Sequence, residues 1–385
     1  MTTRVPYLDG LRALAILMVV SYHTVQYQPW YAAHAVPWWT ALVAQDQGVY
    51  LFFILSGFCL AYPTLSRLEQ NGALKFDLAR FTSRRILRII PSYWLAIAVI
   101  GAGIALLAHF GMQPGPATAP HLTRMKIAEQ VLLFNLRPQW LNGAFWTLPI
   151  EVHWYFFCPI LIWVWTRSPR AFTFAALLFW FASVTTRFSA PDIQALPAFM
   201  LGIAAAHLRL RPHPMMKLAP FAFVCALCVA LEPHLRHLPL HYATWEVAMF
   251  LLVVAAAEVP AIGALFSARA FAPISGASYS IYLMHSPVIS TIEKYTPLSV
   301  PLALVLLCSG IFGIAAGLLF SIVAEKPFRR GAIRDAMLAR LDAVLPGLFR
   351  KVGIEPFLML AVRPRVVTPK IASAVVPNLH LRDYA

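Results

Sequence analysis

Tyr7-Leu-Asp-Gly-Leu-Arg12-Ala-Leu-Ala-Ile-Leu-Met-Val-Val-Ser-Tyr-His23-Thr-Val-Gln-Tyr-Gln28 is long and apolar enough to cross a bilayer, which takes about 20 residues of helix. It also carries an arginine near one end and a histidine near the other. A charged or titratable side chain in lipid is costly, so it usually faces the bundle interior and marks a pathway or a reaction centre. Arg12 and His23 are eleven positions apart. At about 100° per residue, eleven steps make three turns plus roughly 20°, so both side chains share one helix face about 16 Å apart along the axis. Asp9, three residues before Arg12, can pair with it.

The rest of the chain has the same character. Of 385 residues, 60% are hydrophobic and 12% charged, against about 25% charged in a soluble domain. Mean hydropathy is +0.68. Successive apolar runs predict an all-α, polytopic transmembrane bundle. The first helix lacks the features of a signal peptide, with acidic Asp9 at its head. The net charge of +15 is spread over alternate loops and not gathered into one stripe, which fits membrane anchoring and excludes nucleic acid as a partner. The five cysteines are odd in number and lie in apolar runs, so no disulfide framework is expected. Cys225 and Cys228 read as two small hydrophobes one turn apart.

Ten membrane helices are predicted, over 8–27, 47–63, 89–109, 145–166, 171–186, 192–208, 216–232, 242–258, 277–293 and 299–323. Residues 28–46 read as an aromatic interfacial segment, 67–88 as a basic loop and 110–144 as a long polar segment. With the N-terminus inside, the inner loops hold Arg4, the six basic residues of 67–88, Arg167, Arg170, Arg209, Arg211, Lys217, Arg269, Lys326, Arg329 and Arg330. The outer loops hold only Arg124, Lys126, Arg137, Arg187, Arg236 and Lys294. That asymmetry predicts N-in and C-in. Residues 1–328 form the transmembrane domain and 329–385 a basic cytoplasmic tail, whose weakly amphipathic part over 331–351 either lies on the inner membrane surface or is only partly ordered.

Three groups could do chemistry. His23 lies past the midplane. A lone histidine in such a helix is often a packing residue; yet burial disfavours a charged imidazole, and a neutral one can take a proton from a hydroxyl and pass it on. Glu151, in an otherwise apolar helix start, either pairs with an arginine or orients an imidazole; counting from the helix ends puts it at a depth similar to His23. Arg84, Arg85 and Arg88 either anchor the inner side or clamp the phosphates of a nucleotide-bearing donor, for which arginine's fork is suited. His234, His237 and His241 invite a metal, but Pro233 and Pro239 break the helical spacing, and no metal is expected.

These pieces together resemble the acyltransferase 3 membrane proteins. Arg12-x10-His23 matches the family's signature, in the frame Tyr-Leu-Asp-Gly-Leu-Arg-Ala-Leu-Ala. Gly48-Val-Tyr-Leu-Phe-Phe-Ile-Leu-Ser56-Gly57-Phe58 looks like its second helix, and Arg85-Ile-Leu-Arg88 like its Arg-x-x-Arg element. Trp146-Thr147-Leu-Pro-Ile-Glu151 with Tyr155 is similar to its Trp-Ser-Leu-x-x-Glu segment, with threonine where serine is usual. Ser278-Tyr-Ser-Ile-Tyr282-Leu-Met-His285 and Glu325-Lys-Pro327 complete the order. The resemblance implies a multi-pass enzyme of a bacterial inner membrane. It would move an acyl group, usually acetyl, from acyl-CoA to a hydroxyl of an exported or cell-surface carbohydrate. On that reading His23, Glu151 and Arg12 are catalytic, Glu151 setting the His23 tautomer. Arg84, Arg85 and Arg88 hold the coenzyme, and Asp9, Ser56, Trp146, Tyr155, Tyr282 and His285 are substrate-binding. The rival is a transporter of a donor or glycan that uses His23 and Glu151 as a proton relay.

Overall fold

Pro6 suits the start of the first helix, because its missing N–H would find no partner there anyway. In the computed structural model this helix, α1, runs over Pro6–Gln26. The structure describes residues 5–27, 47–72, 74–118, 123–133, 141–186, 191–232, 240–351 and 359–362. The aromatic segment 28–46, Arg137, Arg187, Arg236, His234 and His237 lie outside these. Along the chain follow α2 (Gly48–Asn71), the strand β1 (Leu74–Asp77), α3 (Leu78–His109), α4 (Arg124–Val131), α5 (Thr147–Arg167), α6 (Pro169–Thr186), α7 (Pro191–Leu210), α8 (Ala219–Ala230) and α9 (Leu240–Glu258). After them come α10 (Pro260–Phe266), α11 (Phe271–Gly276), α12 (Ser278–Tyr295), α13 (Leu302–Ala324), α14 (Lys326–Arg329), α15 (Ala332–Lys351) and the strand β2 (Met359–Val362).

A helix stands at each of the ten predicted places. Six of the described helices are long and apolar enough to cross a membrane, and the pair over 241–258 and 260–266, bent by 104°, would make a seventh. The outward faces of these and of the shorter apolar helices α6 and α8 carry Leu106, Phe174, Phe181, Phe221, Leu319 and Val323, all more than half exposed. An apolar surface of this extent belongs against lipid. The chain is an integral membrane protein.

Two predicted boundaries are corrected. The 67–88 stretch is not a loop. α2 continues to Asn71, and α3 begins at Leu78, where the Asp77 carboxylate accepts a hydrogen bond from the Arg80 N–H at 2.9 Å. Capping of this kind satisfies an orphan donor of the first turn, so Arg80, Arg84, Arg85 and Arg88 ride on a helix. The 110–144 stretch contains α4 and a 3-10 turn over Gly143–Trp146.

α1 stands between two cores. Leu8, Leu11 and Ala15 pack with α2, α7 and α9, and Ile16, Val19 and Val20 pack with α3, α12 and α13. α2 and α7 cross backbone to backbone. A Cβ on Gly202 would lie 2.1 Å from the Ile54 carbonyl oxygen, and one on Gly57 would lie 2.1 Å from that of Phe199. Small residues at such crossings let helices approach closely in lipid. α15 docks on the start of α3 through Leu341, Leu345 and Phe349 against Leu78, Ala79 and Ile86. β1 and β2 pair antiparallel, Leu74 opposite Val362 and Asp77 opposite Met359, a short ribbon not foreseen in the sequence. The tail helix therefore rests on the bundle.

Candidate active site

The face that α1 turns toward α2, α3, α5 and α12 opens into a cavity. It is lined by Arg12, Ser56, Cys59, Arg85, Arg88, Thr147, Glu151, Tyr155, Tyr279 and Tyr282, among others. It encloses about 90 Å3, room for a few waters or a small acyl group at about 10–15 Å3 per water, so a larger ligand would extend through its mouth. Arg12, Arg85 and Arg88 face one carboxylate, Glu151, an excess of positive charge that suits an anion.

Each side chain there is held. Arg12 Nη2 donates to Cys59 Sγ at 3.1 Å. The Arg85 guanidinium stacks between two rings, 5.5 Å from the centroids of Phe81 and of Tyr155. Glu151 accepts from Ser56 Oγ at 3.2 Å and, through the same oxygen, from the Tyr155 hydroxyl. Ser56 follows from the α2–α7 crossing, since Gly57 beside it fixes how close α2 lies. Arg329 joins the group from outside the cavity: burial lowers its pKa, Glu325 opposes this, and the nearby charges of Arg88 and Arg12 add to the lowering.

Beyond one wall lies a pair of histidines. Tyr282 lines the cavity, and its hydroxyl donates to the Ala144 carbonyl and meets Thr147 Oγ1, each at 2.5 Å. Its ring is 5.8 Å from that of His285, and His285 is 5.0 Å from His23. His23 is 9% exposed, bonds Gln26 Oε1 through Nδ1 at 2.7 Å and stacks on Tyr27 at 5.2 Å. Tyr27 in turn receives a hydrogen bond from Ser286. Pro287 explains one more contact. It has no N–H to give to the Leu283 carbonyl one turn earlier, and Asn142 Nδ2 donates to that carbonyl at 2.8 Å. The α5 approach is thereby tied to α12 at the histidine level.

The family model described as an acyltransferase domain matches residues 5–324. The chain belongs to the acyltransferase 3 family. A protein of Staphylococcus aureus (strain MRSA252), provisionally named an O-acetyltransferase, is 22% identical over 93% of this chain and 63% of its own length. Nodulation protein 10 of Rhizobium leguminosarum bv. viciae is 28% identical over 66% of this chain and 75% of its own length. Peptidoglycan O-acetyltransferase OatA of Listeria monocytogenes is 34% identical over 25% of this chain and 13% of its own length. The chain spans about three fifths of the length of the staphylococcal relatives. No solved structure matches it.

The structure thus sorts the residues singled out by the family resemblance. Arg12, Ser56, Arg85, Arg88, Glu151, Tyr155 and Tyr282 share the cavity. His23 and His285 stand together behind Tyr282. Arg84 faces away from the cavity, among the charges of Arg80, Arg334, Arg67 and Asp342. Asp9 accepts a hydrogen bond from Ser275 at 3.1 Å, and Trp146 is 39% exposed on the turn before α5. Glu151 is not at the side of His23. Its bonds go to Ser56 and Tyr155, and it faces the arginines. Depth along a helix does not fix direction around it, so a similar depth counted from the helix ends does not make the two side chains neighbours. Gln26, Tyr27, Cys59 and Tyr279 were missed. The first two were open to inference, lying three and four residues after His23 on one helix face; nothing in the sequence ties Cys59 to Arg12.

Proposed function

We propose that this chain is a membrane O-acyltransferase that moves an acyl group, acetyl in the first instance, from acyl-CoA to a hydroxyl of an exported or cell-surface carbohydrate. The observation that carries this reading is the arginine-lined cavity with a pair of imidazoles behind one wall, His285 next to Tyr282 and His23 next to His285, in a chain of an acyltransferase family. The donor supplies an activated acyl carbon and several phosphate charges. Arg85 and Arg88 are suited to the phosphates, with Arg12 in the same cavity and Arg329 within reach of their charges. His23 serves as general base on the acceptor hydroxyl or carries the acyl group itself. Glu151 holds Ser56 and Tyr155 and balances part of the arginine charge.

The ten-span topology with N-in and C-in orientation belongs to the same proposal. It brings the cavity arginines to the side where a soluble nucleotide-bearing donor is found and His23 nearer the exported acceptor. A bacterial plasma membrane is the location proposed with it.

The purified protein should move label from acetyl-CoA to a saccharide acceptor, and His23→Ala should lower turnover by about 10²–10⁴-fold. Full transfer by that variant would show that His23 is not the base. Absence of acetyl-CoA binding, with Arg85→Ala unchanged from wild type, would sink the enzyme reading altogether.

A further inference from the structure

The histidine behind Tyr282 has a specific chemical form. His285 is completely buried. Its Nδ1 lies 2.9 Å from the Ile281 carbonyl oxygen, which can only accept, so Nδ1 carries the hydrogen. In the neutral ring Nε2 is then the lone-pair nitrogen. That Nε2 is buried and makes no hydrogen bond among the described residues, although buried polar atoms in folded proteins nearly always do. The same logic holds for His23. Its Nδ1 donates to Gln26 Oε1 at 2.7 Å and Nε2 is left as the basic atom. His285 is therefore held in one tautomer by a backbone oxygen, and His23 takes the same one while Gln26 turns its Oε1 to the ring, with ring centroids 5.0 Å apart.

Their order matters as much as their spacing. Tyr282 belongs to the cavity wall, His285 is next to Tyr282, and His23 is next to His285. General-base catalysis by His23 uses one imidazole and leaves the other without a task. Yet the proton taken from an acceptor hydroxyl must finish on the donor's sulphur, on the cavity side of the pair. A lone imidazolium in an apolar core is costly, and a neighbouring bare nitrogen relieves it.

We propose that His285 is a relay base, taking from His23 the proton that the acceptor hydroxyl gives up and delivering it to the departing thiolate. The inference rests on the acyl-transfer reading above. The acceptor O–H bond breaks, its proton goes to His23 Nε2, and its electron pair forms the new O–C bond to the acyl carbon. The C–S bond breaks with its pair on sulphur. The proton then passes from His23 to His285 Nε2, directly or over one water, and from there to sulphur, so both imidazoles end neutral as they began. His285 thus meets the reacting sulphur itself and is a second catalytic residue beside His23.

The test uses the purified full chain, labelled acetyl-CoA and a saccharide acceptor, with folding checked by gel filtration and thermal unfolding. His285→Ala should lower kcat by about 100-fold or more, leave KM for acetyl-CoA within about twofold, and regain activity when free imidazole fills the space vacated by the side chain. His285→Phe, which keeps a ring without a lone pair, should show the same loss and no recovery. A folded His285→Phe that turns over like the wild type overturns the relay. So does a loss in His285→Ala that appears only in KM, or that imidazole leaves untouched. If the wild-type chain itself transfers no acetyl group, the acyl-transfer reading falls first and this inference with it.

Discussion

Arg85 is held between the rings of Phe81 and Tyr155, each 5.5 Å from its guanidinium carbon. That packing uses the planarity of the guanidinium, which a lysine ammonium lacks. Arg85→Lys keeps the charge but not the stacked fork, so KM for acetyl-CoA should rise by about tenfold, the equivalent of roughly 1.4 kcal/mol, while kcat changes little. Steady-state kinetics at two salt concentrations would check it, and an unchanged KM would remove Arg85 from the donor site. Tyr282 makes a second case. Removing its hydroxyl in Tyr282→Phe deletes the bonds to Ala144 and Thr147 and leaves the ring between cavity and histidines. Hydrogen bonds of this kind contribute about 1 kcal/mol each, so stability should fall by about 1–2 kcal/mol, read from denaturant midpoints in detergent. At this scale the sequence was informative where chemistry and spacing act within one helix. His23 was legible because a histidine in an apolar helix is costly, and Gln26 follows it at i+3. Its other partner, His285, is 262 residues away, and no rule of local spacing joins them. The separation of Glu151 from His23 was hidden for the same reason.

Helices explain that separation. How α2 lies is set by Gly57 and Gly202, whose missing side chains allow carbonyl oxygens within 2.1 Å of where a Cβ would be. Gly202→Leu should therefore force α2 and α7 apart, costing about 1–3 kcal/mol as overpacking does, and should also lower activity by shifting Ser56. Gly103→Leu is the control, because a Cβ at Gly103 meets nothing within 4 Å among the described residues; its unfolding midpoint should match the wild type. If both variants unfold alike, the crossing is not close-packed as described. Helix existence was legible at all ten places because apolar runs are long. Helix starts were less so. The sequence reading began this helix at 89, yet α3 starts at its Asp77 cap, and Pro91 is tolerated inside the helix, where neighbouring helices can make up for freed backbone groups. The 67–88 stretch read as a loop because its arginines outweighed its helical spacing.

The molecule as a whole is organised by α1, which contributes to both cores and carries Arg12 to the cavity and His23 beyond it. The tail adds a second long-range tie. Leu345 and Phe349 of α15 cover Ala79 of α3, two turns before the arginine pair. Leu345→Asp should release this contact, raise amide exchange at the start of α3, and raise KM for the donor while leaving kcat largely intact. Exchange protection unchanged at Ala79 and Ile86 would mean that α15 does not brace α3. The sequence reading of the tail as surface-bound or partly ordered lacked one datum, the apolar patch on α3 that the helix fits. β1 and β2 extend the tie, and with it comes a consequence for how the protein is made. Strand 74–77 leads straight into the helix of the donor-side arginines, but its partner is 359–362. Some 280 residues must therefore leave the ribosome before that corner can close. During synthesis the histidine pair, complete once α12 is in place, is assembled before the arginine end is fastened, and a ribosome that stalls after α13 leaves a nascent chain with its chemistry installed and its donor mouth unlatched.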